Sequence, residues 1–392
     1  MSIIVRDNHN EIAEVEFIGR HPDTFSSSLA AQLTLALAEE HTEEQIEQYR
    51  ADINVQSLGE LRGEDPWVRI NIGGQLQIPN TIDFQKIAKK TAISTLSEAG
   101  YLRNDFSIER VTVDTSGTTG QAPELRATTQ ENKFADSCVV YGHYIAPPHG
   151  IHGTFASLGF AQQIDETVRQ LQKTSAVLRP DGKVHVIAQH TKNGPIAREV
   201  YLSIAHARKR REEAIQAVKE SLALLPALLQ AKISVNAGGD FDTYFLKADS
   251  GVSKAKDDVI ITGGIHQLGT DRVWGKCLYK ASSTLIPYGF SLSRAICDAT
   301  GARYACVSAA SQYGQRDALL QLQDIDPLYE LLRSKINAAL SDLPRDRNAI
   351  RDLIGLPVSK ESYRLFNDVR GFHKQEKPWK KRNKTIIDAL RV

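Results

Sequence analysis

Two short runs of residues have types and spacing suited to chemistry. His21-Pro22-Asp23 lies between a strand-like run and an amphipathic helix, where a turn sets side chains beside the free N–H groups of a helix start. An imidazole there can give a proton to a leaving oxygen, and a carboxylate can hold Mg²⁺ on a polyphosphate. Such a tripeptide, taken by itself, is more often a solvated turn with a capping acid. The second run is Leu178-Arg179-Pro180-Asp181-Gly182-Lys183. Pro180 and Gly182 restrict the backbone so that Asp181 and Lys183 point the same way, at the opening of a strand over 184–187. The lysine suits a phosphate, and the aspartate a ribose or an amine; an Asp-Gly turn with surface charges has the same composition.

The elements that must position these residues show in the hydrophobic periods. Alternation at Val15 and Phe17, at Val68, Ile70 and Ile72, at Val184 and Val186, and at Val200, Leu202 and Ile204 predicts half-buried strands. Leu29, Leu33 and Leu37 predict a helix, as do the patterns over 87–96, 207–224 and 318–340. Strands and helices intermingle without a regular βαβ period, which predicts α+β layers and not a doubly wound parallel sheet. The turn formers of 115–123 and the prolines and glycines of 146–153 predict two loops, the kind of segment that covers sites.

A chain of 392 residues, 41% of them hydrophobic, is long enough for two or three domains. Its 48 basic and 47 acidic residues leave a net charge of +1, so no general field draws it to nucleic acid or to an anionic membrane. The basic runs 208–211 and 380–382 read as solvated faces. Cys138, Cys277, Cys297 and Cys306 form no CxxC pair, which predicts buried, reduced thiols. No signal-like or membrane-spanning run appears, the most apolar stretch near 222–229 being short and broken by Pro226. The expectation is a cytoplasmic protein without nucleic-acid or membrane partners.

The hexapeptide 178–183 resembles the central signature of the methionine adenosyltransferases, and other positions follow in the family's order. Asp136, ahead of Cys138-Val139-Val140-Tyr141-Gly142, resembles the Asp of the GDQGLMFGY segment. Asn236 to Phe241 resembles NPTGRF, whose Phe stacks on adenine, and Asp249-Ser250-Gly251 resembles the start of DAGLT. Lys256, Lys276 and Lys280 have the spacing of the lysines around the triphosphate, and Gln121-Ala122-Pro123 resembles QSP, whose Gln faces methionine. The resemblance runs from residue 21 to 280, with an echo of the family's ending at 372–379. Four positions depart from the pattern. Thr24 replaces the Lys of GHPDK, and Gln75 the Glu of VGGE that meets the methionine ammonium. Ala255 replaces an Arg on the triphosphate, beside Lys254, and Ser282 a second Mg²⁺-binding Asp.

The resemblance implies three intertwined α+β domains with pseudo-threefold symmetry: 25–129, 151–264, and a discontinuous domain of 1–24, 130–150 and 265–392. It implies a homodimer or dimer of dimers with sites between subunits. The implied enzyme is a transferase that joins the sulfur of methionine to C5′ of ATP, forms S-adenosylmethionine, and releases phosphate and pyrophosphate. In that reading His21, Lys183 and Lys276 are catalytic. Lys256, Lys280, Asp181, Phe241 and Asp136 hold ATP; Gln121, Asp249 and Gln75 hold methionine; and Asp23 holds Mg²⁺. K⁺ is a further implied ion, with Glu60 or Glu64 as its acid. Gln75 leaves open another thioether substrate or a triphosphatase, and the departures together leave open a silent regulatory subunit.

Overall fold

The computed structural model describes residues 4–6, 10–60, 67–77, 79, 81–102, 110–120, 132–134, 136–147, 149–151, 154–242, 251–252, 275–367 and 388. Its first sheet has the order β1-β2-β9-β10-β11. These strands are Ile4–Arg6, Asn10–Glu16, Leu178–Thr191, Gly194–His206 and Lys232–Val235. The second, β12-β3-β4-β5, joins Gly251–Val252, Arg50–Glu60, Trp67–Gln77 and Arg110–Thr119. The third, β14-β13-β6, joins Leu319–Ile325, Tyr304–Ser311 and Cys138–Ile145. A small pair links β7 (Gly150–Ile151) to β8 (Thr154–Phe155). Pairing is antiparallel except for β10 with β11 and β4 with β5, so the chain has the mixed α+β architecture that its patterns predict.

Helix α1 (Pro22–Glu39) begins where its sequence says it should. His21 caps it in an extended conformation, Pro22 supplies a preset φ, and Asp23 places negative charge in the first turn. It is buried on nearly every side, with Phe25, Leu29, Leu33 and Leu37 all fully inside the core of the second sheet. Each such side chain contributes about 1.5–3 kcal/mol by burial. A polar atom in that setting needs a partner, and the Ser26 hydroxyl finds one in Ser57 of β3 at 2.6 Å. Helix α2 (Phe84–Ala99) covers the same sheet, capped by Asp83 and ended by Gly100. The first sheet carries its own core against α3 (Ala156–Thr174) and α4 (Arg211–Leu222). Helix α5 (Ala281–Thr300) packs on the third sheet. There Ser293 donates to Gly142 O at 2.6 Å and accepts from Val307 N–H at 2.9 Å. Helices α6 (Arg333–Ser341), α7 (Arg347–Ile354) and α8 (Lys360–Phe366) finish the described chain.

Three sequence expectations need correction. The run 318–340 is not one helix: 319–325 is β14, followed by a 3₁₀ segment from Pro327 and then α6. Leucines spaced at both two and three residues satisfy either period, and pairing with β13 decides for the strand. Thr115 to Thr119 is the end of β5 and not a loop, because β4 offers a parallel ladder to it; residues 121–131 lie outside the described residues. The strand expected over 184–187 starts earlier, since the hexapeptide 178–183 is already the first part of β9, in register with β10 at Leu178, Gly182 and Lys183 and with β2 at Lys183. All four cysteines are free and buried, as expected. Among the described residues, no helix is long and apolar enough to cross a membrane.

Candidate functional site

The two opening motifs meet at the edge where β2, β9 and α1 converge. Glu16 ends β2 and stands opposite Lys183 in the antiparallel register. Its carboxylate is 3.4 Å from Lys183 Nζ and 3.3 Å from His21 Nδ1, although only 3% of it is exposed. Sequence reading missed Glu16; aligning the alternating polar positions of β2 and β9 would have exposed it as the partner of Lys183. Burial pushes its carboxyl up, but the positive groups around it, His21 first and Lys183 among the rest, bring it below the usual glutamate value. His21 Nδ1 also lies 3.4 Å from the Asp23 backbone N–H. Nδ1 accepts from the Asp23 N–H, and the Glu16 carboxylate beside it is the charge that a protonated ring would meet.

Glu16, His21 and Asp23 can each turn a ligand atom to within 4.8 Å of the others. Two carboxylates and one imidazole fit a divalent cation, with the oxygens suited to Mg²⁺. Thr24, where the family has Lys, instead closes the turn: its hydroxyl donates to Phe17 O at 2.6 Å and accepts from Gly19 N–H at 3.1 Å. Asp181 is buried on the Lys183 side of β9. Gly182 is required between them, since a Cβ there would come within 2.3 Å of the Phe17 ring. A cavity of about 330 Å³ opens on the other side of this strand, lined by Leu178, Pro180, Arg20 and Gln172, and faces away from Lys183.

A second set gathers where β3 and β4 meet the segment before α5. Lys280, at the N-cap of α5, is buried and contacts Asp52 at 2.9 Å and Asp136 at 3.2 Å. Burial opposes its charge, yet the two carboxylates raise it above the ordinary lysine value, so it stays protonated. Asp52 pairs with Gln75 across the β3–β4 ladder and forms a β-bridge with Lys276, itself buried. Gly74 next to Gln75 holds φ at +121°, and a Cβ there would overlap Asp52 O. Ser282 is buried in the first turn of α5.

Helix α1 spaces the two sets within one chain. His21 caps its start, and Ala30, against which Gly275 packs, follows ~13 Å along the axis. Phe241 is half-buried and donates its N–H to His206 Nε2 at 3.0 Å. Gln121, Asp249, Lys254, Ala255, Lys256 and Glu64 lie outside the described residues, and Glu60 ends β3.

A third set was not foreseen. Arg50, Arg347 and Arg351, from β3 and α7, place their guanidinium carbons 3.5, 5.0 and 4.7 Å from the Tyr279 ring centroid. All three are buried. Burial, then mutual repulsion in the case of Arg347, brings Arg347 and Arg351 down to about 10, which still leaves both charged at neutral pH. Burying a cation without a counter-ion, as for Arg50 and Arg351 among the described residues, costs several kcal/mol, and the cation–π contacts to one ring return only about 2 kcal/mol each. Nothing in the local sequence marks this set, because Arg50 and α7 are almost 300 residues apart.

No family model and no curated protein matches the sequence. Among solved structures, the chain is similar to an unusual S-adenosylmethionine synthetase from Campylobacter jejuni. The TM-score is 0.74 at 16% identity, over 97% of this chain and all of that one. The fold is therefore of the S-adenosylmethionine synthetase type.

Proposed function

We propose that this protein is an ATP-dependent adenosyltransferase that forms S-adenosylmethionine from ATP and methionine. The observation that carries the reading is the meeting of His21 and Lys183 on the buried carboxylate of Glu16, with Asp23 close by. Two motifs far apart in sequence thereby converge in a fold shared with a synthetase of this chemistry. In this reading sulfur attacks C5′ of ATP, the C5′–O bond breaks, and triphosphate leaves. Lys183 and Lys276 hold the leaving oxygens, while His21 stands where it can pass a proton to them. Glu16 orients both His21 and Lys183. Asp23 and Glu16 are the residues that would hold Mg²⁺, which when bound neutralises polyphosphate charge. Lys280 and Asp136 border the nucleotide, and Phe241 stacks on adenine. The threefold domain arrangement, a K⁺ ion and a dimer with sites between subunits belong to the same proposal.

Gln75 supports a second reading, with another thioether as substrate. The neutral amide stands opposite Asp52, whose carboxylate is already engaged by Lys280. An amino-acid ammonium would then meet a weaker partner than a free carboxylate.

Incubation with ATP, Mg²⁺ and methionine, followed by mass spectrometry, tests the first reading. S-adenosylmethionine should accumulate, and His21→Ala or Lys183→Ala should each slow it about 100-fold or more. Product from a different thioether in a panel, with none from methionine, would select the second reading. Absence of any adenosylated product would overturn both.

A further inference from the structure

We propose that Arg50, Arg347 and Arg351, gathered on the ring of Tyr279, form a binding site for a phosphoryl-class oxyanion. Arg50 donates from Nη1 to Glu47 O at 2.5 Å and to Tyr49 O at 2.9 Å, while its buried Nε meets no acceptor. Arg351 donates from Nε to the Thr284 hydroxyl at 3.2 Å, and its buried Nη2 meets none. Among the described residues, neither guanidinium has a carboxylate within ion-pair distance. Only neutral groups touch two charges that are 7% and 3% exposed.

The neighbouring phenols cannot serve as counter-ions. Burial first of all raises Tyr49 and Tyr363 well above the ordinary tyrosine value, which keeps both neutral. The Tyr279 face attracts all three cations through its quadrupole, which offers no oxygen acceptors to their N–H groups. What Arg50 and Arg351 lack among the described residues is an anion with several oxygens. Planar guanidinium forks match phosphoryl oxygens in pairs, so guanidinium groups gathered beside one ring suit a tetrahedral oxyanion better than a single halide. Arg50 and Tyr279 keep the residual exposure of the set, 7% and 8%, and mark the side of entry. Orthophosphate and the phosphoryl end of a polyphosphate share this chemistry.

The inference is independent of adenosyl transfer, so its test omits methionine. The full-length protein is titrated with orthophosphate, tripolyphosphate and ATP against sodium chloride of matched ionic strength. Melting temperature and calorimetric affinity are read in each case. Wild type should gain melting temperature from an oxyanion and not from chloride. Arg351→Met should match or exceed the ligand-free wild type in melting temperature, because it removes a buried uncompensated charge. It should also lose about tenfold or more in oxyanion affinity. Orthophosphate binding alone would mark a site for the free ion; preference for tripolyphosphate and ATP would mark the end of a polyphosphate; either supports the site. No oxyanion response in wild type beyond that of chloride overturns it, without needing any variant to fold. Undiminished affinity in both Arg351→Met and Arg50→Met also overturns it, since the ion would then sit elsewhere, for instance beside Lys183. Failure to form S-adenosylmethionine, with oxyanion binding intact, would remove only the adenosyl-transfer reading.

Discussion

Lys280 and the arginines gathered on the neighbouring Tyr279 are buried cations close together before α5, yet their charges are handled in opposite ways. Lys280 has two carboxylates, Asp52 and Asp136, and its protonated form is reinforced. Arg50 and Arg351 meet carbonyls, a hydroxyl and an aromatic face. One set is electrostatically closed and the other is open. Burial by itself therefore says little about what a charge contributes; the partners within reach decide.

The largest effect expected from breaking the closed set comes from Lys280→Met, which leaves two carboxylates facing each other. Urea unfolding should show a loss of about 3 kcal/mol, toward the low end for a broken buried pair because Asp136 is part-exposed. A change under about 1 kcal/mol would mean that the set is not closed. Arg303 and Asp326 give the contrast its reference point. Arg303 holds the fully buried Asp326 at 2.6 and 2.9 Å, and these hydrogen bonds, against the opposing effect of burial, lower its carboxyl to about 2. Because the folded value lies below the unfolded one, this stabilisation is complete above about pH 4 and is lost as pH falls toward 2. It should amount to ~2 kcal/mol in unfolding measured across that window. Asp326→Asn should flatten the profile there. The smallest effect belongs to Arg364 and Glu39, an exposed pair at 2.8 Å. Glu39→Gln should leave the urea midpoint nearly unchanged, and added salt should erase any difference.

Much of the first site is legible in the sequence because its parts are local. The cap, the proline and the acid that start α1 are neighbours, and the spacing of Asp181 and Lys183 puts both on one face of a strand. Glu16 escaped notice because one strand carries no record of which strand will lie beside it. The hexapeptide, expected to stand just before a strand over 184–187, already belongs to it for a related reason: Pro180 and Gly182 favour turns locally, and pairing with β10 overrides that preference. The same override made β14 of residues that also fit a helix.

Composition, periodicity and short motifs determined the α+β class, the helix that His21 begins, the reduced cysteines and the candidates His21, Asp23 and Lys183. These depend on interactions within a few residues or on sums over the chain. Tertiary structure alone decided that Glu16 joins His21 to Lys183, that Asp52 and Asp136 share Lys280, and that three arginines converge on Tyr279. Each of those sets draws on segments far apart in sequence, and the energy of a charge depends on its distance to partners and on its burial, neither of which exists until the chain has folded.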